Sequence, residues 1–232
     1  MRLAIMQPYF LPYLGYFQLI NSVDLFVIAD NLNFIRDHWV NRNRILLKGK
    51  DHLFTLKIAH PSSNRSFNKT EVLDEPRNRA KLIKLFRSAY AKAPYFNTAM
   101  PLIEQIINND GKNLSKYIEF SLRALSKYIG IRTNIGLLSD TYWNSTLKGQ
   151  EKAIDMIRAY GADEFINPIG GQTLYDKTVF ARNNIKLSFL KTREISYKQF
   201  GNDFVADLSI IDVMMFNPAE TIRAMLDEYD LV

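Results

Sequence analysis

The stretch DNLNFIRDHWVNRNR, Asp30 to Arg44, is crowded with side chains that bind and titrate. Trp39 with Arg36, Arg42 and Arg44 offers a flat apolar face flanked by guanidinium forks, which is the chemistry that holds a sugar or base together with its phosphates. Asn33, Asn41 and Asn43 add amides able to donate and accept. His38 stands beside Trp39 with Asp30 and Asp37 close in sequence, and an imidazole near carboxylates can act as a general base. His38 and Asp30 are therefore the candidate proton-handling residues. The competing readings are a surface histidine and a structural hydrogen-bond network. If 41–44 is extended, Arg42 and Arg44 share one face and Asn41 and Asn43 the other, and polar groups on a buried face need partners whether or not a ligand supplies them.

These residues need a scaffold, and the sequence before them supplies one. Leu3 to Met6 is a short apolar run that ends in a turn containing Pro8 and Pro12. From Gly15 to Val23 the apolar positions Phe17, Leu19, Ile20 and Val23 recur at helical spacing, and Leu25 to Ile28 is a second apolar run. The pattern predicts strand, loop, helix and parallel strand, a βαβ unit. Chemistry in such units gathers at the carboxyl ends of the strands, which puts Gln7 and Asp30 on one rim.

Further along, 44–47 and 52–58 predict a hairpin, and the polar run 60–68 predicts a loop. Apolar stripes over 75–90, 98–107 and 113–129 predict three successive helices, a helical subdomain or insertion over 75–130 within a single α/β domain of 232 residues. Strands follow at 134–138, 164–166 and 185–190, with a helix ending at Gly161 between the first two, a short helix at 209–215 and a last one introduced by Asn217-Pro218. Asn167-Pro168-Ile169-Gly170-Gly171 falls at a strand's carboxyl end. Gly170 and Gly171 would let a ligand approach the backbone just before a helix start, or would form an ordinary turn.

Apolar residues make up 47% of the chain, a globular proportion that argues against long disorder. No cysteine is present, which removes thiolate nucleophiles and cysteine metal sites and suits a reducing cytoplasm. His38, His52 and His60 lack a short helical spacing, so no metal site is expected. The N-terminus lacks a signal-peptide apolar region, and no apolar stretch approaches the ~20 residues of a membrane span. A net charge of +6 favours anionic partners. No cofactor is evident, and neither a Walker A loop, G-x-G-x-x-G, H-E-x-x-H nor G-x-S-x-G occurs.

The N-terminal strand, proline-bearing loop and helix-opening glycine resemble the start of the nucleotidyltransferase superfamily, whose H-x-G-H sequence holds nucleotide phosphates. Here the register reads Tyr13-Leu14-Gly15-Tyr16, with tyrosine in both histidine places. A neutral phenol cannot supply the positive charge that stabilises a phosphoryl transition state. The expected fold is a Rossmann-like parallel sheet, nucleotidyltransferase-like in its opening, with Tyr13 and Tyr16 as candidate binding residues.

A broader likeness spans nearly the whole chain. Gln7-Pro8-x-x-x-Pro12-x-x-Gly15-Tyr16-Phe17, Asp24-x-Phe26-Val27 and Trp39-x-Asn41-Arg42-Asn43-Arg44-Ile45 resemble the WbqC-like family, as do Ser139, Lys148-Gly149, Gly161-Ala162, the Asn167 to Gly171 loop, Leu174-Tyr175-Asp176 and Leu208-Ser209-x-x-Asp212. The resemblance implies a role in bacterial surface-polysaccharide, or O-antigen, biosynthesis. It implies acyl or aminoacyl (glycyl) transfer to an amino sugar, carried as a nucleotide-linked intermediate, with an acyl donor or aminoacyl-tRNA as second partner. It also adds Ser139, Lys148 and Tyr175 to the candidate substrate contacts. Two alternatives stand beside it: a nucleotidyltransferase or ligase using ATP or CTP, and a non-catalytic module binding sugar nucleotides or RNA.

Overall fold

The computed structural model describes residues 1–35, 38–201 and 203–232. Arg36 and Asp37, singled out in the sequence, lie outside the described residues.

The chain opens with β1 (Arg2–Met6), α1 (Leu14–Asn21) and β2 (Leu25–Ile28). β1 and β2 pair in parallel with Met6 opposite Ile28, so Gln7 and Asp30 do emerge on the same rim. The hairpin is β3 (Arg42–Leu47) and β4 (Lys50–Thr55), turning through Lys48 and Gly49, both at positive φ. Two short strands, β5 (Ile58–Ala59) and β6 (Glu71–Val72), pair with each other. The three expected helices are α2 (Pro76–Tyr90), α3 (Phe96–Ile107) and α4 (Leu114–Ile129). Asn113 caps α4 through its side chain, and Gly130 ends it at φ 85°, a left-handed stop that glycine adopts freely. Then come β7 (Asn134–Leu137), α5 (Gly149–Ala159), β8 (Glu164–Pro168), α6 (Lys177–Arg182), β9 (Lys186–Thr192), α7 (Ile210–Phe216), α8 (Ala219–Met225) and β10 (Tyr229–Leu231).

The main sheet has the order β10-β9-β8-β1-β2-β7, parallel except for β10 at one edge. This is a doubly wound α/β sheet: from β1 the chain winds outward through β2 and β7 to one side, and later through β8 and β9 to the other. The order reverses between β1 and β8, and ligands of such sheets bind in the crevice beyond the carboxyl ends near that reversal.

Burial on both faces explains why β1 from Leu3 to Met6 and β2 from Leu25 to Ile28 read as continuous apolar runs. Leu3, Val27, Phe165 and Leu187 face one core with Ile154 and Ile157 of α5 and Phe180 of α6. Ala4, Phe26, Ile28 and Ile166 face the other, where α1, α7, α8 and the three successive helices share a single core with them. Among the described residues no helix is long and apolar enough to cross a membrane.

Two local readings are corrected. Gly170 and Gly171 do not open a helix: they close a single 3-10 turn over Ile169–Gly171, and α6 begins only at Lys177, capped by Asp176. Asn217 does not cap α8 either, because its side-chain amide turns back to donate to the Val213 carbonyl at 2.9 Å.

Candidate functional site

Residues 9–13 leave β1 along a path fixed by hydrogen bonds. Phe10 donates its amide to the Val40 carbonyl at 2.9 Å. Leu11 has φ 47°, a left-handed conformation costly for a side chain of its kind. Its carbonyl accepts from the Asn43 side-chain amide at 2.9 Å and from the Ser209 hydroxyl at 2.7 Å. The Ser209 amide donates to the Arg44 carbonyl and the Ile210 amide to the Pro12 carbonyl, both at 2.8 Å. The loop, β3 and the start of α7 are thereby locked together.

The lock frames a cleft with two lobes. One lobe, of about 400 Å³, is lined by Met6, Tyr9, Tyr13, Trp39, Asn43, Arg44 and Asp207. The other, of about 390 Å³, lies at the start of α1 and the carboxyl end of β9, against Leu14, Gly15, Thr192, Tyr197, Phe204, Leu208 and Val213. Tyr13 and Asp207 border both. Volumes of this size are those of small-molecule sites.

In the first lobe the Arg44 guanidinium lies 5.6 Å from the Trp39 ring centroid, close enough for a cation–π contact. Nη1 of Arg44 donates to Asp51 at 3.3 Å and Nη2 to the Asp207 carbonyl at 3.4 Å. The Tyr9 ring is flanked by Tyr16 at 5.5 Å and His38 at 6.0 Å. Burial pushes the Tyr9 phenol up to about 12, and burial followed by the charge of Asp207 raises Tyr13. Both are neutral at pH 7, so the positive charge that the described lining residues bring to this lobe is that of Arg44.

The expected site residues separate into groups. Tyr13, Trp39, Asn43 and Arg44 meet at the cleft. Tyr16 is buried and donates its hydroxyl to the Gln7 carbonyl at 2.7 Å, fastening the end of β1. Gln7 itself carries a buried Oε1 with no partner among the described residues. Asn41 donates to the Leu56 carbonyl at 2.9 Å and, with Arg42, borders a separate hollow beside Phe34, Lys57 and Pro61, so Arg42 and Arg44 line different hollows. Asn33 is exposed and bridges to Ser66.

The Asp30 carboxylate is already occupied, accepting from the Ser139 amide at 2.9 Å and hydroxyl at 2.7 Å. It holds the β7 exit loop against the end of β2. His38 lies against the Tyr9 ring, its buried Nδ1 has no partner among the described residues, and it is not among the residues that line the cleft. Asn167 packs its amide against Gly171, where a Cβ would come within 2.0 Å of Nδ2. Gly170 is exposed, as is Lys148 in front of α5. Tyr175 packs edge-on against Phe165 and Phe180 in the other core.

Beyond the Leu208-Ser209-x-x-Asp212 motif, one wall has no local signal in the sequence. Residues 193–208, which hold no helix or strand among those described, supply Tyr197, Phe204, Asp207 and Leu208 to the cleft. Asp212 anchors that wall. It is fully buried on α7 and accepts from Tyr90 and Tyr197 at 2.8 Å and from Gln199 at 2.7 Å. Burial raises its carboxyl, and the three hydrogen bonds oppose that shift. The available signal was an acid inside the apolar run Ile210-Ile211-Asp212-Val213-Met214.

No solved structure matches the chain. Over 222 residues it is 27% identical to a Mycobacterium tuberculosis protein, the uncharacterized protein Rv1507c, an alignment that covers 93% of each chain. The WbqC-like family model matches residues 7–224, and the chain belongs to that family.

Proposed function

We propose that this protein is a transferase of bacterial surface-polysaccharide biosynthesis that moves an acyl or aminoacyl group onto the amine of a nucleotide-linked sugar. The observation that carries the reading is Arg44 over Trp39 on the wall of a lobe that Tyr9 and Tyr13 also line. Sugar rings pack their C–H faces on aromatic planes, and a guanidinium beside such a plane pairs with phosphate. The adjoining lobe, walled by Leu14, Tyr197, Phe204, Leu208 and Val213, suits the less polar arm of an acyl donor.

Nucleotidyl transfer is the less supported alternative. Tyr16 is buried on the Gln7 carbonyl and Tyr13 is a neutral phenol, so neither supplies the cation that a phosphoryl transition state needs. The test is thermal stability of the purified protein against UDP-, dTDP- and GDP-linked sugars, each as the amino sugar and its hydroxyl counterpart, with acetyl-coenzyme A, ATP, CTP and bulk tRNA alongside. A ligand at about 100 times its Kd stabilises the native state by roughly 2.7 kcal/mol. The reading expects shifts with nucleotide-linked amino sugars. A response to ATP or CTP alone would move nucleotidyl transfer ahead, and a response to tRNA alone, steeply salt-dependent, would favour an RNA-binding module.

A further inference from the structure

We infer that Asp207 is the carboxylate that receives the acceptor's amino group where the two lobes of the cleft meet. This rests on the transfer reading above and adds to it the residue that tells an amine from a hydroxyl.

Position argues for it first. In a transfer between two bound molecules the reacting atoms meet where their subsites join, and Asp207 and Tyr13 are the residues that line both lobes. Tyr13 offers only a neutral phenol there, whereas Asp207 offers a charge. That charge acts on the phenol of Tyr13, the other residue shared by both lobes.

Availability argues for it next. Asp30 spends its carboxylate on Ser139, and Asp212 spends its own on Tyr90, Tyr197 and Gln199. The carboxylate of Asp207 makes no hydrogen bond or ion pair among the described residues, although its backbone is held: the carbonyl accepts from Arg44, and the adjoining Leu208 is buried. Its φ of 55° is left-handed, a conformation that aspartate tolerates better than most side chains. Glu194 also lines the cleft, but only in the lobe beside α1.

The chemistry balances. The acceptor binds as an ammonium against Asp207 and releases one proton to solvent to become the nucleophile. When its nitrogen bonds to the acyl carbonyl carbon it gains positive charge and becomes strongly acidic. Asp207 takes that second proton, the carbon–sulfur or carbon–oxygen bond to the donor breaks, and the departing thiolate or alkoxide recovers the proton.

The experiment compares Kd values for the amino-sugar and hydroxyl members of each UDP-, dTDP- and GDP-linked pair in wild type and Asp207→Asn. The side chain is exposed, so the variant should fold, and its unliganded melting temperature verifies this. Wild type should prefer the amino sugar by about tenfold, and Asp207→Asn should bring the two within about twofold by weakening only the amino member. A preference retained in Asp207→Asn, or absent from wild type while both members bind, overturns the inference and leaves the transfer reading standing. Wild type that binds neither member of any pair overturns the transfer reading itself.

Discussion

Asp30, at the end of β2, accepts two hydrogen bonds from Ser139, 109 residues later at the end of β7, and so joins two neighbouring strands where their polar backbones would otherwise fray. A carboxylate at 1% exposure with both oxygens engaged is placed for architecture, and its loss should appear first in stability. Asp30→Ala should cost roughly 2–3 kcal/mol, lowering the melting temperature by roughly 5–10 °C, while Ser139→Ala, which spares the amide, should cost about 1 kcal/mol. Urea unfolding of both variants measures this. Asp30→Ala with unchanged stability and abolished turnover would return Asp30 to the reaction.

Asp212 yields a pH dependence with a definite sign. Its folded carboxyl is raised above the ordinary 3.8 by burial, against the opposing pull of Tyr90, Tyr197 and Gln199. A group raised on folding contributes stability that is fully present below its unfolded value and is lost as pH rises through its folded value. Asp212→Asn lacks that titration. Relative to wild type, the variant's unfolding free energy should therefore improve as pH climbs from below 3.8 through the raised value. Unfolding curves across that range show the trend, and the reverse trend would mean that the three hydrogen bonds outweigh desolvation.

Gly171 and Asn167 should behave as a coupled pair. A Cβ at Gly171 would sit 2.0 Å from Asn167 Nδ2, and Asn167 is only 8% exposed, so its amide has little room to retreat. Gly171→Ala should destabilise by roughly 1–3 kcal/mol, as overpacking does, and Asn167→Ala should relieve much of that cost in the double variant. A double-mutant cycle measures the coupling; simple additivity would show that the two side chains do not compete for the same space.

Much of the scaffold was legible because its signals are local. Pro8, Pro12 and Gly15 punctuate β1, α1 and β2, and the apolar stripes of α2, α3 and α4 recur at the helical period. β10 was not legible: Tyr229-Asp230-Leu231 is too short and too polar to mark itself, and it becomes a strand only by pairing with Leu190 to Thr192. The site was read in part. Trp39 and Arg44 carry their chemistry in their side-chain types, and they meet as those types suggest. Asn41 and Asn43 show why residue type alone misleads, since an amide that caps a carbonyl of the chain is the same residue as one that binds a sugar. The wall from 193 to 208 has no periodicity, and Asp207 acquires its place only through the tertiary lock of Arg44, Ser209 and Leu11.

The most direct test of a sugar nucleotide in the Trp39 lobe uses the indole itself. The chain has two tryptophans, and the other, Trp143, packs under Lys152 at 4.6 Å, away from the cleft lining. In Trp143→Phe, emission therefore reports Trp39 alone during titration with the nucleotide-linked sugars that stabilise the protein. A saturable change in emission whose midpoint matches the Kd from calorimetry, weakened about tenfold or more in Arg44→Ala, is the predicted result. Calorimetric binding with silent Trp39 emission and full affinity in Arg44→Ala would place the ligand elsewhere and contradict the account.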